Sequence, residues 1–354
     1  AMGDPMRYIG ARKADISALF ANCNRGKESL RIDLKSEAGV RVIKEMIPSV
    51  DVVIHNFRPG VMDKLGLGSE TLRGINSKLI YTAISGFGTE GPMSSAPAYD
   101  PIIQAHAGVA ATQGKGDEPA FMRTLLCDKI TGYTACQAVT SALFLRERTG
   151  EGQHIDLSMI DSGLFFIFLD GFQNHTLLSD DHERGGMLID ILYDPWVCSD
   201  GGVIISAGSY EMQKRFLTSI DMQHLLDDER FATFENQMRN IHVLKGLVSE
   251  RCAELTCDEM VGRLREVDVP CAKVMTRDEV LAQEQLSANG TVDIYDHPIA
   301  GSSRRILAPP LFGGERLAPG SGAPTHGQHT REVLESFGVS ETDIQKLSSD
   351  GVVA

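Results

Sequence analysis

Asp128 is the residue in this sequence whose setting most invites chemistry. It stands between the apolar run Leu125-Leu126-Cys127 and the first turn of a long helical stretch. Two readings follow from that position. The side chain acts as an N-cap, satisfying a helix N–H, or it is a reactive carboxylate steadied by the positive end of the helix dipole. Asp156 and Asp161 are rival carboxylates, but they fall in a strand–helix segment where surface or capping roles suffice. A second cluster, Asn56-Phe57-Arg58-Pro59-Gly60, directly follows a strand. That is the ligand edge of an open α/β sheet, and loops between regular elements carry most sites. Gly86-Phe87-Gly88 is no dinucleotide fingerprint, because Thr89-Glu90-Gly91-Pro92 does not open a helix. P-loop, nucleophile-elbow and helical zinc spacings are also missing.

The elements that must position these residues alternate. Ser36 caps a helix whose apolar stripe is Val40, Ile43, Met46 and Ile47, and Pro48 ends it. Asp51–Asn56 reads as a buried strand, 69–75 as a short helix and Leu79–Ser85 as a second strand. The spacing predicts a long helix over 129–148, a strand His154–Leu157 and a helix beginning near Met159. Helix alternating with strand implies a parallel sheet with helical crossovers. After about residue 185 the texture changes: Asp200-Gly201-Gly202 is a turn before strand Val203–Ala207. Helices over 209–220 and 257–266, a strand Cys271–Met275, a Gly/Pro-rich tail from Pro309 to His326 and a last helix near Thr330 follow.

Composition bounds the function. The 42% hydrophobic and 23% charged chain of 354 residues suits a globular enzyme. A net charge of −14 excludes a nucleic-acid partner. Residues 1–75 nevertheless carry +3 against −17 for the remainder, a mildly basic segment suited to a phosphorylated ligand. Seven cysteines without a Cys-x-x-Cys pair argue against a disulfide framework or zinc site. The ten histidines are scattered, so no metal is expected. The longest apolar run, Gly163–Leu169, is too short to span a bilayer. With no signal-peptide pattern at the N-terminus, a cytoplasmic location is expected and no membrane partner.

Several stretches together carry a resemblance. Asn24-Arg25-Gly26-Lys27 through Ile32-Asp33-Leu34-Lys35, then Asp51–Gly66 with His55-Asn56-Phe57-Arg58-Pro59-Gly60, come first. Leu79-Ile80-Tyr81, Ser85–Gly88, Gly91-Pro92, Ala98-Tyr99-Asp100-Pro101, Thr149–Gln153 and Gly327–Leu334 follow in the same order. From Gly3 to the end the chain resembles the class III CoA-transferases, the superfamily of formyl-CoA transferase, carnitine CoA-transferase and α-methylacyl-CoA racemase. The resemblance implies CoA transfer between an acyl-CoA donor and a small carboxylic acid, with CoA as substrate and no covalently bound cofactor. The family aspartate lies in an apolar-x-Asp-x-x-Thr-Gly setting, here Leu126–Gly132, so the resemblance gives Asp128 the nucleophile's role. A carboxylate suits it: attack on a thioester gives a mixed anhydride, and the returning thiolate makes an aspartyl-CoA thioester. The helix N-terminus is expected to supply oxyanion donors and to keep the carboxylate ionised.

The same resemblance places CoA contacts at Ile32, Asp33, Leu34, Lys35, Asn56, Phe57, Arg58, Lys64 and Ala98. Lys35 and Lys64 read equally as surface charge, and Phe57 equally as core. Tyr99 separates two activities, since the racemases carry His-Asp where this chain has Tyr99-Asp100. With an ordinary pKa near ~10, tyrosine is a poor general base at neutral pH. Transferase is favoured; a racemase or isomerase, or a silent remnant that only dimerises or binds a partner, are the alternatives. The family opens with a strand, a helix and a strand ahead of Gly3-Asp4-Pro5-Met6-Arg7, and this sequence starts at that segment. A sheet edge should then be unpaired. The glycine-rich closing loop of formyl-CoA transferases is reduced here to Gly185-Gly186, which implies a different closing loop and a different acid. The expected architecture is a Rossmann-like α/β domain over 1–185, a smaller α+β domain over 186–307 and a tail over 308–354 returning to the first, in an interlocked homodimer.

Overall fold

The computed structural model describes residues 3–115, 118–182, 193–317 and 320–354. Two compact units divide the chain: Ala1–Leu169 together with Leu286–Ala354, and Asp170–Gln285. The first unit is therefore interrupted by the second, with its return stretch beginning at 286 rather than 308. The expected boundary between residues 185 and 186 lies outside the described residues.

In the first unit, α1 (Glu37–Met46) begins after Ser36, whose side chain makes no capping bond; its carbonyl accepts Val40 N–H at 3.0 Å. Val42, between the residues of the expected stripe, is buried against Leu334 and Ile344, so α1 packs on two sides. After β1 (Val52–His55) come α2 (Val61–Lys64), α3 (Ser69–Ile75) and β2 (Ile80–Ser85). Then follow α4 (Asp100–His106), α5 (Leu126–Thr149), β3 (His154–Ser158) and α6 (Met159–Gly171). The three strands are parallel in the order β1-β2-β3, with Val52 opposite Ile80 and Tyr81 opposite His154. Among the described residues β1 pairs only with β2, leaving its other edge open. Met62, Leu67, Leu72 and Tyr81 form the core between one sheet face and α2–α3.

The β2–α5–β3 crossover fixes the site. Gly150, left-handed at φ 78°, ends α5, and the chain enters β3 at the amino end of the sheet. A helix of 24 residues is about 36 Å long, so its first turn is carried back to the carboxyl ends of the strands. There α4, α5 and α6 meet around Ile103, Ala107 and Cys127.

The second unit holds an antiparallel sheet of β4 (Trp196–Cys198), β5 (Gly201–Ile205) and β6 (Cys271–Lys273). Cys198 pairs with Gly201, so Ser199-Asp200 is the hairpin loop and β5 starts two residues earlier than expected. Helices α7 (Tyr210–Ser219), α8 (Ile241–Glu254) and α9 (Cys257–Glu266) contribute Leu217, Val248, Met260 and Leu264 to its core. Thr256 and Glu259 form a reciprocal capping box on α9.

The chain re-enters the first unit through a hairpin the sequence reading lacked, β7 (Val292–His297) with β8 (Gly301–Ile306). It ends in α10 (Thr330–Ser336) and a further helix, α11 (Glu341–Ser349). Arg7 ties the two stretches together. Its guanidinium, 3% exposed as a residue, donates to Pro324 O at 2.9 Å, pairs with Asp15 at 3.3 Å and lies 3.8 Å over the Phe20 ring. Among the described residues no helix is long and apolar enough to cross a membrane.

Candidate functional site

Asp128 is the third residue of α5, not its N-cap: the helix starts at Leu126 and Leu125 takes the cap position. The Asp128 side chain is open to solvent, and its N–H is taken by a second carboxylate. Asp100, only 2% exposed at the start of α4, accepts it through Oδ2 at 3.1 Å. The other Asp100 oxygen accepts Gln104 Nε2 at 2.6 Å. Gln104 also donates to Met122 O at 3.1 Å and Thr124 O at 3.2 Å, and accepts Met122 N–H at 3.0 Å. A buried acid and amide thus grip both the first turn of α5 and the loop before it.

This arrangement corrects the electrostatic expectation. Packing that displaces water, and then the Asp100 charge, raise the Asp128 pKa above the usual aspartate value instead of holding it down. Two of the first-turn N–H groups are also engaged: Asp128 by Asp100, and Leu126 by Thr124 O at 2.8 Å. Those two N–H groups are therefore not free to meet an oxyanion, as the helix N-terminus was expected to do. Cys127 itself is no rival nucleophile. Its thiol is fully buried, and burial, followed by Asp100 and Asp128, pushes its pKa up to about 11. Asp161 accepts the Ser158 hydroxyl, whose oxygen in turn accepts Asp161 N–H at 3.1 Å at the start of α6. Asp156 lies 3.5 Å from His154 with half its side chain exposed. Both rivals therefore have local partners.

The remaining candidate residues stand along the same edge. Tyr99 precedes α4 with its ring 77% exposed. A Cβ on Gly86 would lie 2.2 Å from Ala98 Cβ, so only glycine lets the loop after β2 approach the Ala98–Asp100 segment this closely. Ile160 N–H donates to Gly86 O at 3.1 Å, joining α6 to that loop. Asn56, Phe57 and Arg58 are exposed just beyond β1. Phe57 N–H donates to His55 Nδ1 at 3.3 Å. Lys64 is exposed at the end of α2.

Ile32–Lys35 forms a turn gripped from both sides. Asp33 N–H donates to Val352 O at 2.8 Å, and the Asp33 carboxylate accepts Lys35 N–H at 2.9 Å. Arg31 N–H reaches Thr330 Oγ1 at 3.1 Å, which gives the Gly327–Leu334 motif a positioning task. Gly185-Gly186 lies outside the described residues.

A cavity of about 260 Å³ opens between the Asn56–Arg58 loop and the sheet face. Its wall includes His55, Tyr81 and His154, a row of rings with neighbouring centroids 5.4 Å apart. Burial first, with His154 adding to it, lowers the His55 pKa despite Asp63 and Asp156. Tyr81, whose hydroxyl donates to Leu67 O at 3.1 Å, is pushed up to about 12 by burial and then by those acids. Ser85 and Thr89 close the cavity on the side toward Gly86.

Sequence reasoning missed Asp100, Gln104 and this ring row as site residues. The signal for His55 was present, since it immediately precedes Asn56. That for Asp100 was hidden by a first-turn position that reads as an exposed acid.

The profile of CoA-transferase family III matches residues 1–330. An acetyl-CoA:oxalate CoA-transferase of Acetobacter aceti is 32% identical over 312 residues, 84% of this chain and 79% of that protein. A succinyl-CoA:glutarate CoA-transferase of Mus musculus is 28% identical over 95% of this chain and 78% of its own length. The crystal structure of a CAIB/BAIF family protein from Brucella suis superposes with a TM-score of 0.82 at 31% identity. That match covers 95% of this chain and 89% of the other.

Proposed function

The chain belongs to CoA-transferase family III, and from that premise we propose that it moves CoA between carboxylic acids on Asp128. The observation that carries the reading is an open carboxylate at the first turn of α5, its backbone gripped from below by buried Asp100. Asp128 attacks the acyl-CoA carbonyl, and the tetrahedral oxyanion collapses by expelling CoA thiolate. The thiolate then attacks the aspartyl carbonyl of the mixed anhydride, releasing the donor acid and leaving an aspartyl-CoA thioester. An acceptor carboxylate reverses both steps and departs as its CoA thioester. One difficult exchange becomes a series of easier ones.

The raised pKa supports the role, because a more basic carboxylate is the better nucleophile once ionised. Ile32–Lys35, Asn56–Arg58, Lys64 and Ala98 hold CoA in this reading, with Tyr99 beside the reacting carbonyl. Their support is a shared position along one sheet edge. The chain acts as a homodimer; the apolar helix α6, with Phe165 and Leu169 77% and 79% exposed, supports a partner copy.

Incubation with acyl-CoA followed by hydroxylamine tests the reading. The expected product is a hydroxamate on the Asp128 peptide, absent from Asp128→Asn. An Asp128→Asn protein with full transferase activity would overturn it.

A further inference from the structure

We propose that Gln104 is a positioning residue for the chemistry at Asp128: its carboxamide fixes the first turn of α5 by two routes, and the rate of attack depends on it more than acyl-CoA binding does. The inference rests on the transferase reading and adds a residue to it. At 1% exposure Gln104 reaches the reaction only through its neighbours. The first route is Asp100. Gln104 Nε2 donates to one Asp100 oxygen at 2.6 Å, which leaves the other aimed at Asp128 N–H, 3.1 Å away. The second is the chain ahead of the helix. Nε2 donates to Thr124 O at 3.2 Å, and the same carbonyl accepts Leu126 N–H at 2.8 Å. Met122 is held at both backbone groups, giving its N–H to Oε1 at 3.0 Å and accepting from Nε2 at 3.1 Å.

These partners dictate a carboxamide in one orientation. Oε1 faces the Met122 N–H because the Nε2 side meets three oxygens. A glutamate carboxylate would set a second negative charge against Asp100 and turn an acceptor toward the Met122 and Thr124 carbonyls. Methionine fills a similar volume and makes none of these bonds. The Asp128 side chain is short, so a shift of its backbone carries the carboxylate with it. A displacement of about 1 Å is enough to slow attack by about 100-fold. Most CoA contacts of the transferase reading, at Ile32–Lys35, Asn56–Arg58 and Lys64, lie on other elements. Among the described residues Gln104 hydrogen-bonds none of them.

The test is single-turnover acylation of the full chain by succinyl-CoA, followed as the hydroxylamine-trapped Asp128 product across concentration and pH. Gln104→Met is expected to lower the maximal rate by about 10- to 100-fold while the half-saturating concentration stays within about threefold. Gln104→Glu is expected to be as slow at neutral pH. Its rate relative to the intact protein should rise as pH falls, because the introduced carboxyl, once protonated, can again donate to Asp100. The ratio for Gln104→Met should stay flat. A full rate in Gln104→Met, or a loss explained by weaker half-saturation, overturns the proposal and leaves the transferase reading in place. So does a flat ratio for Gln104→Glu, which would reduce Gln104 to packing. Should Gln104→Met fail to fold, Gln104→Glu decides alone, since its recovery with pH is read within one protein. An intact chain that is never labelled at Asp128 overturns the transferase reading and this inference with it.

Discussion

Asp100 accepts the backbone N–H of Asp128 at 3.1 Å while its other oxygen holds Gln104 at 2.6 Å. One buried carboxylate therefore caps α5 from a different helix and places a charge close to Asp128. On the proposed route acylation requires ionised Asp128, so its rate is expected to fall as pH drops through the folded-state pKa. Burial and then Asp100 raise that pKa, so the acid limb lies above the ordinary aspartate value. Asp100→Asn keeps an oxygen for the N–H and removes the charge. The limb is expected to move to lower pH in single-turnover acylation measured across pH. An unmoved limb would leave Asp100 as a cap alone.

Removing the proposed nucleophile should cost activity without costing stability. Asp128→Asn is expected to lower turnover by about a thousandfold or more. A carboxyl whose folded pKa is raised contributes stability below its unfolded pKa near ~3.9, and loses it as pH rises through the folded value. At neutral pH ionised Asp128 is then a net cost that a neutral amide relieves. Melting temperatures at pH 7 should be equal or higher for the variant, with the difference shrinking in acid. A lower Tm at pH 7 would show that the carboxylate has a stabilising partner.

The sheet was legible because its strands are β-branched runs bounded by breakers, and Val52–His55 and Ile80–Ser85 lie within the expected spans. The long helix was legible too, yet it begins three residues earlier than expected, at Leu126, because the apolar run Leu125–Cys127 carries no capping side chain to mark its start. Asp100 was not legible as buried: its local sequence marks a helix start, and only the crossing of α5 removes it from water. Gln104 lies one helical turn further on, and nothing local says that it will meet residues 122 and 124. The Val292–His297 hairpin was missed although its residues alternate in burial. The partner strand, Gly301–Ile306, carries Arg304 and Arg305 in a pattern that reads as surface loop.

Gly39 supports the turn proposed to meet CoA. A Cβ there would stand 2.1 Å from Asp33 O, a backbone atom that cannot swing aside. Gly39→Ala is therefore expected to destabilise by about 1–3 kcal/mol despite the better helix propensity of alanine. It should also raise KM for acyl-CoA, because Ile32–Lys35 must shift. Gly262→Ala on α9 is the contrast, since nothing lies within 4 Å of its added methyl. That change should be neutral or stabilising by up to about 1 kcal/mol in denaturant titration. Equal effects at the two sites would show that the contact at Asp33 relaxes freely.

Helix α6 gives the assembly a direct test. Ser162 and Gly163 are buried, and a Cβ on Gly163 would meet Ala107 and Cys127 at 3.0 and 3.4 Å, so this face is packed within the unit. Phe165 and Leu169, one turn apart at i and i+4, point the other way and are 77% and 79% exposed. Side chains this large on one helical face gain little from water, and burial of each is worth about 1.5–3 kcal/mol. A second copy covering them would bury enough to matter in an interface of ordinary size, about 1,600 Å². Sedimentation velocity should show the 38.5 kDa chain travelling as a dimer, and Phe165→Glu with Leu169→Glu should shift it to monomer with the far-UV spectrum retained. A monomeric intact chain, or a double variant that stays dimeric, would remove α6 from the interface.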